Sequence, residues 1–197
     1  HVGVAQAELV VDAAGHVGEG ELAFLGGERG VEEHLEEQVA EKCCAIIGQE
    51  GIAPEQVVLE LTESLLVVDA ERTIVRLNSL REKGFALSLD DFGTGFSSLS
   101  YLKRFPLDEL KIDRAFVTDV TRGGKDAAIA LSIIELGHQF GMRVVAEGVE
   151  TRAQADFLLA NRCPIQQGFL FSPPLPPDRF AAILGSDGGL AFPDGPP

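Results

Sequence analysis

The chain of 197 residues has few cysteines, few basic residues and no long hydrophobic run. Its three cysteines, Cys43, Cys44 and Cys163, form no C-x-x-C pair. A disulfide framework and a zinc ribbon are therefore disfavoured, and we interpret the cysteines as reduced thiols of a cytoplasmic protein. The hydrophobic runs stay far below the roughly 20 residues that a transmembrane helix needs, and no secretory signal is visible. A first residue of His1 rather than methionine indicates a piece of a longer chain.

Positive charge is also scarce, because 31 acidic residues face 16 basic ones and the formal net charge is −15. Such a charge repels nucleic acids and anionic membranes unless it is locally reversed or carried through metal ions. Otherwise the composition, with 45% hydrophobic and 24% charged residues, is that of an ordinary globular protein. The length favours a single domain.

Short β-branched or leucine-rich runs alternate with stretches of helical spacing from about residue 54 onward. The predicted strands are 57–61, 85–89, 107–112, 142–146 and 165–170. The predicted helices include a long one around residues 129–140 and one that opens with a capping box at Thr151 and Gln154. This alternation predicts parallel β/α units, and a barrel and a doubly wound sheet fit it equally well.

Both ends of the chain lack this clear alternation. Within residues 1–50 the pattern predicts strands at 8–12 and 16–25 and an amphipathic helix at 31–48. Residues 185–197 carry no periodic signal, which is typical of a disordered tail or linker. We therefore expect a degenerate N-terminal part, 1–50, a core, 51–184, and a tail, 185–197.

Polar residues stand at the carboxyl end of each predicted strand of the core. They are Glu60, the pair Asp90 and Asp91, Lys111 and Asp113, Glu147, and Gln167. In α/β folds this edge carries the active site, with groups drawn from several strands. A single acid there is usually a solvated loop residue or a helix cap, but polar groups on five successive strands are hard to obtain by chance.

Converging carboxylates repel one another strongly, and a hard cation resolves the conflict. Oxygen ligands without cysteine or histidine favour Mg²⁺ or Mn²⁺ over zinc, and the pair Asp90–Asp91 suggests two ions. Two ions suit the displacement at a phosphodiester, in which Lys111 would neutralise charge or position water and Glu147 would accept its proton. Two alternatives stay open for Lys111: a structural ion pair with an acid, and Schiff-base chemistry.

Five segments in order, within residues 57–184, resemble the EAL family of cyclic di-GMP phosphodiesterases. They are LELTES (59–64), LDDFGTGFSSLSYL (89–102), LKIDRAFV (110–117), VVAEGVET (144–151) and QGFLFSPPL (167–175). The resemblance covers about two-thirds of the chain. It implies a (β/α)₈ TIM-like barrel, a site for two Mg²⁺ or Mn²⁺ ions, and hydrolysis of cyclic di-GMP to linear pGpG in bacterial signalling.

The resemblance also implies roles for single residues. The metal ligands would be Glu60, Asp90 and Asp91, with Asp91 on the second ion. Glu147 would be the general base, and Lys111 would orient water or metal. The substrate and the loop that follows Asp91 would be served by Gln167, Glu63, Thr94 and Asp113.

The N-terminal part departs from the family pattern. The Glu-Ala-Leu motif is not present as such. Its best counterpart is Glu21, which would be a further metal ligand, in a segment that also reads as a decayed GGDEF signature. The family's asparagine ligand is missing, because no asparagine precedes Asn78. Only 39 positions separate Glu21 from Glu60. We therefore expect an incomplete barrel that lacks about one β/α unit near the N-terminus.

These departures leave alternatives to an active enzyme. One is an inactive EAL module that binds cyclic di-GMP or a protein partner. Another is a truncated copy that folds poorly, because an incomplete barrel exposes strand edges. The resemblance also leaves room for a homodimer and for an upstream GGDEF or sensory domain in the full-length chain.

Overall fold

The structure is a computed structural model that describes residues 7–11, 41, 43–49, 51–63, 70–93, 102–176 and 179. These residues contain a parallel sheet of six strands that lie side by side in chain order. The strands are β1 Ala7–Val11, β2 Val57–Thr62, β3 Ala86–Phe92, β4 Glu109–Ile112, β5 Arg143–Ala146 and β6 Ile165–Gln166. Each strand therefore pairs in parallel with the next strand along the chain. This arrangement is that of a TIM-like α/β barrel, and the sheet is a part of one.

Helices connect consecutive strands. They are α1 Ala70–Glu82, α2 Arg114–Thr118, α3 Lys125–Gln139 and α4 Arg152–Ala160, with short 3₁₀ helices at Pro54–Gln56 and Val120–Arg122 and a further helical stretch at 43–49. The predicted capping box of α4 is confirmed: Thr151 accepts from the Gln154 amide, and the Gln154 side chain accepts from Thr151 N. No described helix has the length and apolar character that crossing a membrane requires.

The core lies between the sheet and the helices. Leu87, Leu89, Leu110 and Ile112 are fully buried, as expected for parallel strands that are covered on both faces. Helix α3 approaches the sheet closely at Gly137, where an added Cβ would overlap Cγ2 of Val144. Glycine therefore sets the spacing between α3 and β5.

The last described strand is shorter than the predicted 165–170, so that prediction was wrong in its extent. After Gln166 the chain turns, and Phe171 N donates to Gly168 O at 3.0 Å. Gly168 has a φ of +153°, and a Cβ there would overlap the backbone of Val149. This close approach ends the strand. The apolar residues that follow Gln166 in the sequence do not indicate it.

Other boundaries differ by a few residues. Strand β4 begins at Glu109 rather than at residue 107, and β3 continues to Phe92 rather than ending at residue 89. The predicted strand 8–12 corresponds to β1, and the C-terminal part of the predicted helix 31–48 is helical. The predicted strand 16–25 and most of the predicted helices 97–104 and 179–184 lie outside the described residues, as does the tail 185–197.

Candidate active site

A buried lysine lies among three carboxylates at the carboxyl edge of the sheet. Lys111 Nζ contacts Glu60 Oε1, lies 2.6 Å from Glu147 Oε1 and lies 3.6 Å from Asp90 Oδ1. The side chains of Lys111 and Glu60 are only 4% and 3% exposed. Four strand ends, β2 to β5, thus bring their charged groups to one point, as the sequence pattern predicts.

The carboxylates keep Lys111 charged. Burial alone would lower the pKa of Lys111, but hydrogen bonds to Glu147 and Glu60 and their negative charges outweigh it and raise the pKa well above its usual value. A Schiff base needs a neutral amine, so this environment disfavours that alternative. The contact with Glu60 is an ion pair of the kind that the structural alternative expects.

Asp91 departs from ordinary strand geometry. Successive side chains of a strand point to opposite faces, so Asp90 and Asp91 would normally diverge. Asp91 has a φ of +54°, its amide donates to Asp90 Oδ1 at 2.9 Å, and the pairing between β3 and β4 shifts register between Leu89 and Phe92. The distorted strand end lets both aspartates face the site.

Asp90, Asp91 and Glu147 form a cluster of oxygen donors. Each offers one carboxylate oxygen, and these oxygens lie within 4.8 Å of one another. Burial raises the pKa of Asp91, and the charge of Asp90 and a hydrogen bond with Asp113 raise it further, whereas Lys111 lowers it. Three partly accessible carboxylates at this spacing fit a hard divalent cation such as Mg²⁺ or Mn²⁺.

Gln167 and Glu63, which are also predicted site residues, form hydrogen bonds beside the carboxylate cluster. Gln167 Nε2 donates to Glu147 Oε1 at 2.7 Å, so it contacts the same oxygen as Lys111. Glu63, which is buried, accepts from Gly93 N through Oε2 at 3.1 Å and so fixes the chain just after Asp91. The predicted residues Glu21 and Thr94 lie outside the described residues.

Asp113 also belongs to this edge, where it begins the next helix. Its Oδ1 accepts from Ala115 N at 2.9 Å and caps α2. It also lies close enough to Asp91 to raise the pKa of that carboxyl. The cap explains why a helix of five residues begins here without any periodic signal in the sequence.

Sequence reasoning missed the pair Gly148 and Arg114. Gly148 follows Glu147 with a φ of +66°. A Cβ there would overlap Cβ of Arg114 and lie 3.4 Å from its Cδ, so the arginine stem runs across the glycine. A glycine directly after a strand-end acid is a signal for such close approach.

An α/β barrel with an acidic site at the carboxyl edge of its strands defines the class of this protein. The family model described as "EAL domain" matches residues 30–174, and the chain belongs to this family. The EAL-type barrel that the sequence predicts is thereby confirmed.

Named relatives are similar over most of the chain. It is 45% identical over 157 residues to "Cyclic di-GMP phosphodiesterase NbdA" of Pseudomonas aeruginosa, covering 73% of this chain and 20% of NbdA. The chain spans about a fifth of the length of such curated relatives.

Solved structures share the fold. The "PaMucR Phosphodiesterase, c-di-GMP complex" has a TM-score of 0.70 and 40% identity over 74% of this chain and 60% of that one. A manganese/cy-diGMP complex of Klebsiella pneumoniae BlrP1 has a TM-score of 0.61 and 36% identity over 70% of this chain and 34% of that one.

Proposed function

We propose that this chain is a metal-dependent phosphodiesterase that hydrolyses cyclic di-GMP to linear pGpG in bacterial signalling. The observation that carries the proposal is the convergence of Asp90, Asp91 and Glu147 beside a buried, charged Lys111. The names of NbdA and of the PaMucR complex support the same substrate.

The clustered carboxylates fit one hard cation, and we propose a second beside it, with Mg²⁺ and Mn²⁺ as the candidates. Asp90 and Asp91 would hold them, with Glu60 next to Asp90 across Lys111. When bound, such ions would offset the charge of the carboxylates and of the phosphodiester and make a water molecule more acidic. The manganese complex of the related BlrP1 supports this choice.

Glu147 is the residue that would take the proton of the attacking water. A general base must be ionised, and the ammonium group of Lys111 at 2.6 Å stabilises the carboxylate form. Lys111 and Gln167 both bond Oε1, so they fix the orientation of the carboxylate. Lys111 also presents a fixed positive charge to the phosphodiester.

The test is turnover of cyclic di-GMP by the purified chain with Mg²⁺ or Mn²⁺. We expect hydrolysis to pGpG in the wild type and its loss in Glu147→Gln, which keeps the shape but removes the base. Glu135→Gln is the matched control, because Glu135 is an exposed acid on α3 paired with Arg162. This control should retain full activity.

Two other outcomes are informative. Saturable binding of cyclic di-GMP without turnover would show that the chain is an inactive module that binds the dinucleotide. The missing asparagine ligand is the argument for that alternative. Neither binding nor turnover would refute both. The residue roles for Glu63 and Asp113, a homodimer, a cytoplasmic location and an attached GGDEF or sensory domain are further proposals that rest on the family.

A further inference from the structure

Arg114 lacks the acidic partner that most of the described arginines have. Most of them pair with an acidic side chain: Arg81 with Asp108, Arg104 with Glu71, Arg122 with Asp119, Arg143 with Glu109, Arg152 with Asp156 and Arg162 with Glu135. Arg114 is exposed and forms no ion pair with any residue that the structure describes. Arg179 is also exposed without such a pair, so it is the position of Arg114 at the carboxyl edge of the sheet that sets it apart.

The position of Arg114 is fixed at the rim of the site. It follows Asp113 at the carboxyl end of β4, and its stem lies across Gly148, the neighbour of Glu147. Gly148 leaves the space that the stem occupies, because a Cβ would overlap Cβ of Arg114. The aliphatic part of the side chain is therefore held close to the general base, while the residue as a whole stays accessible to solvent.

A guanidinium group in this place suits an anion. Arginine binds phosphate oxygens through paired N–H donors, and these charge-assisted hydrogen bonds are among the stronger ones in proteins. The proposed substrate carries two phosphodiesters and must approach a mouth lined with carboxylates on a chain of net charge −15. An accessible cation at the rim offsets part of that repulsion.

We propose that Arg114 binds the phosphodiester of the cyclic dinucleotide that is not being hydrolysed. The reacting phosphodiester belongs at the cluster of Lys111, Asp90 and Glu147, and Arg114 lies outside that cluster, across Gly148. The inference rests on the proposed function and adds a substrate-binding residue to it. Arg114 then acts mainly on affinity and leaves the chemical step to the buried groups.

The experiment compares Arg114→Gln and Arg114→Lys with the wild type in kcat, KM and equilibrium binding of fluorescent cyclic di-GMP. Arg122→Gln is the matched control, because it makes the same change of charge at another exposed arginine. We expect Arg114→Gln to raise KM and Kd about tenfold or more with little change in kcat. The loss should shrink at high salt, since screening weakens the attraction in the wild type.

Arg114→Lys and the salt dependence together separate phosphate from base recognition. A lysine keeps the positive charge that attracts a phosphate but loses the paired hydrogen bonds that arginine can make to a phosphate or to a guanine edge. Restoration of part of the affinity by lysine supports the proposal, and a loss in Arg114→Gln that is the same at low and high salt overturns it in favour of guanine recognition. Unchanged KM and Kd in Arg114→Gln overturn this inference alone. A wild type that neither binds nor hydrolyses the dinucleotide overturns the proposed function together with it.

Discussion

Replacing Lys111 by methionine tests whether the positive charge of Lys111 stabilises the buried carboxylates around it. Methionine keeps most of the apolar stem, so the change removes the ammonium group and little else. It leaves Glu60 and Glu147 without their shared cation, and the Glu60 side chain is 3% exposed. Removing one partner of a buried ion pair costs about 3–5 kcal/mol, because the remaining charge is desolvated and uncompensated.

That cost is a large part of the roughly 5–15 kcal/mol by which a domain is stable. The assay is urea unfolding followed by far-ultraviolet circular dichroism, in buffer with a chelator, so that no divalent ion replaces the ammonium group. We expect a lower midpoint with an unchanged m-value. Lys125→Met, at an exposed position on α3, is the control and should change stability by no more than about 0.5 kcal/mol.

Two additions sharpen the result. Glu60→Gln in the Lys111→Met background should recover part of the loss, because a neutral amide replaces the stranded carboxylate. Mg²⁺ should stabilise Lys111→Met more than the wild type, since the metal binds the folded carboxylates and offsets their repulsion. A loss below about 1 kcal/mol without metal, or no recovery in the double variant, would refute the argument that Lys111 neutralises this cluster.

Three predictions concern the scaffold. Gly137→Ala should cost about 1–3 kcal/mol because its Cβ would overlap Val144, and Val144→Ala in the same chain should relieve that part of the cost; additive losses in a double-mutant cycle would contradict this. Burial raises the pKa of Cys163 to about 11, so the free energy of unfolding should fall by roughly 2–3 kcal/mol as pH rises from about 9 to 11. Urea titrations at each pH measure this fall, and Cys163→Ala should remove the contribution of Cys163 to it. Gln154→Ala should cost about 1–3 kcal/mol in thermal unfolding, because it leaves the start of α4 and Thr118 O without hydrogen-bond partners, and an unchanged midpoint would contradict the capping argument.

Much of the site could be predicted because parallel strands carry their carboxyl ends to one edge. Glu60, Asp90, Lys111 and Glu147 each follow a buried apolar run, so their meeting follows from topology alone. The strands β2 to β5 could be predicted because both faces of each strand are buried, which leaves continuous apolar segments.

What the sequence did not predict depends on backbone geometry and on close contacts. The left-handed conformation of Asp91 gives no periodic signal, although it decides whether two adjacent aspartates face one site. Helix α2 has five residues, too few for a pattern, and owes its start to the cap by Asp113. Strand β6 ends early because Gly168 lies against Val149, a contact between segments that are far apart in the sequence.

That contact links Glu147 to Gln167 mechanically. Val149 N donates to Gln167 O at 3.0 Å, and Leu170 N donates to Val149 O at 3.0 Å, so the two segments are joined by backbone on both sides of Gly168. We therefore expect Glu147 and Gln167 to move together, because a displacement of one segment would carry the other with it. A displacement of these segments would then leave the hydrogen bond between Gln167 and Glu147 in place, and with it the orientation of the Glu147 carboxylate.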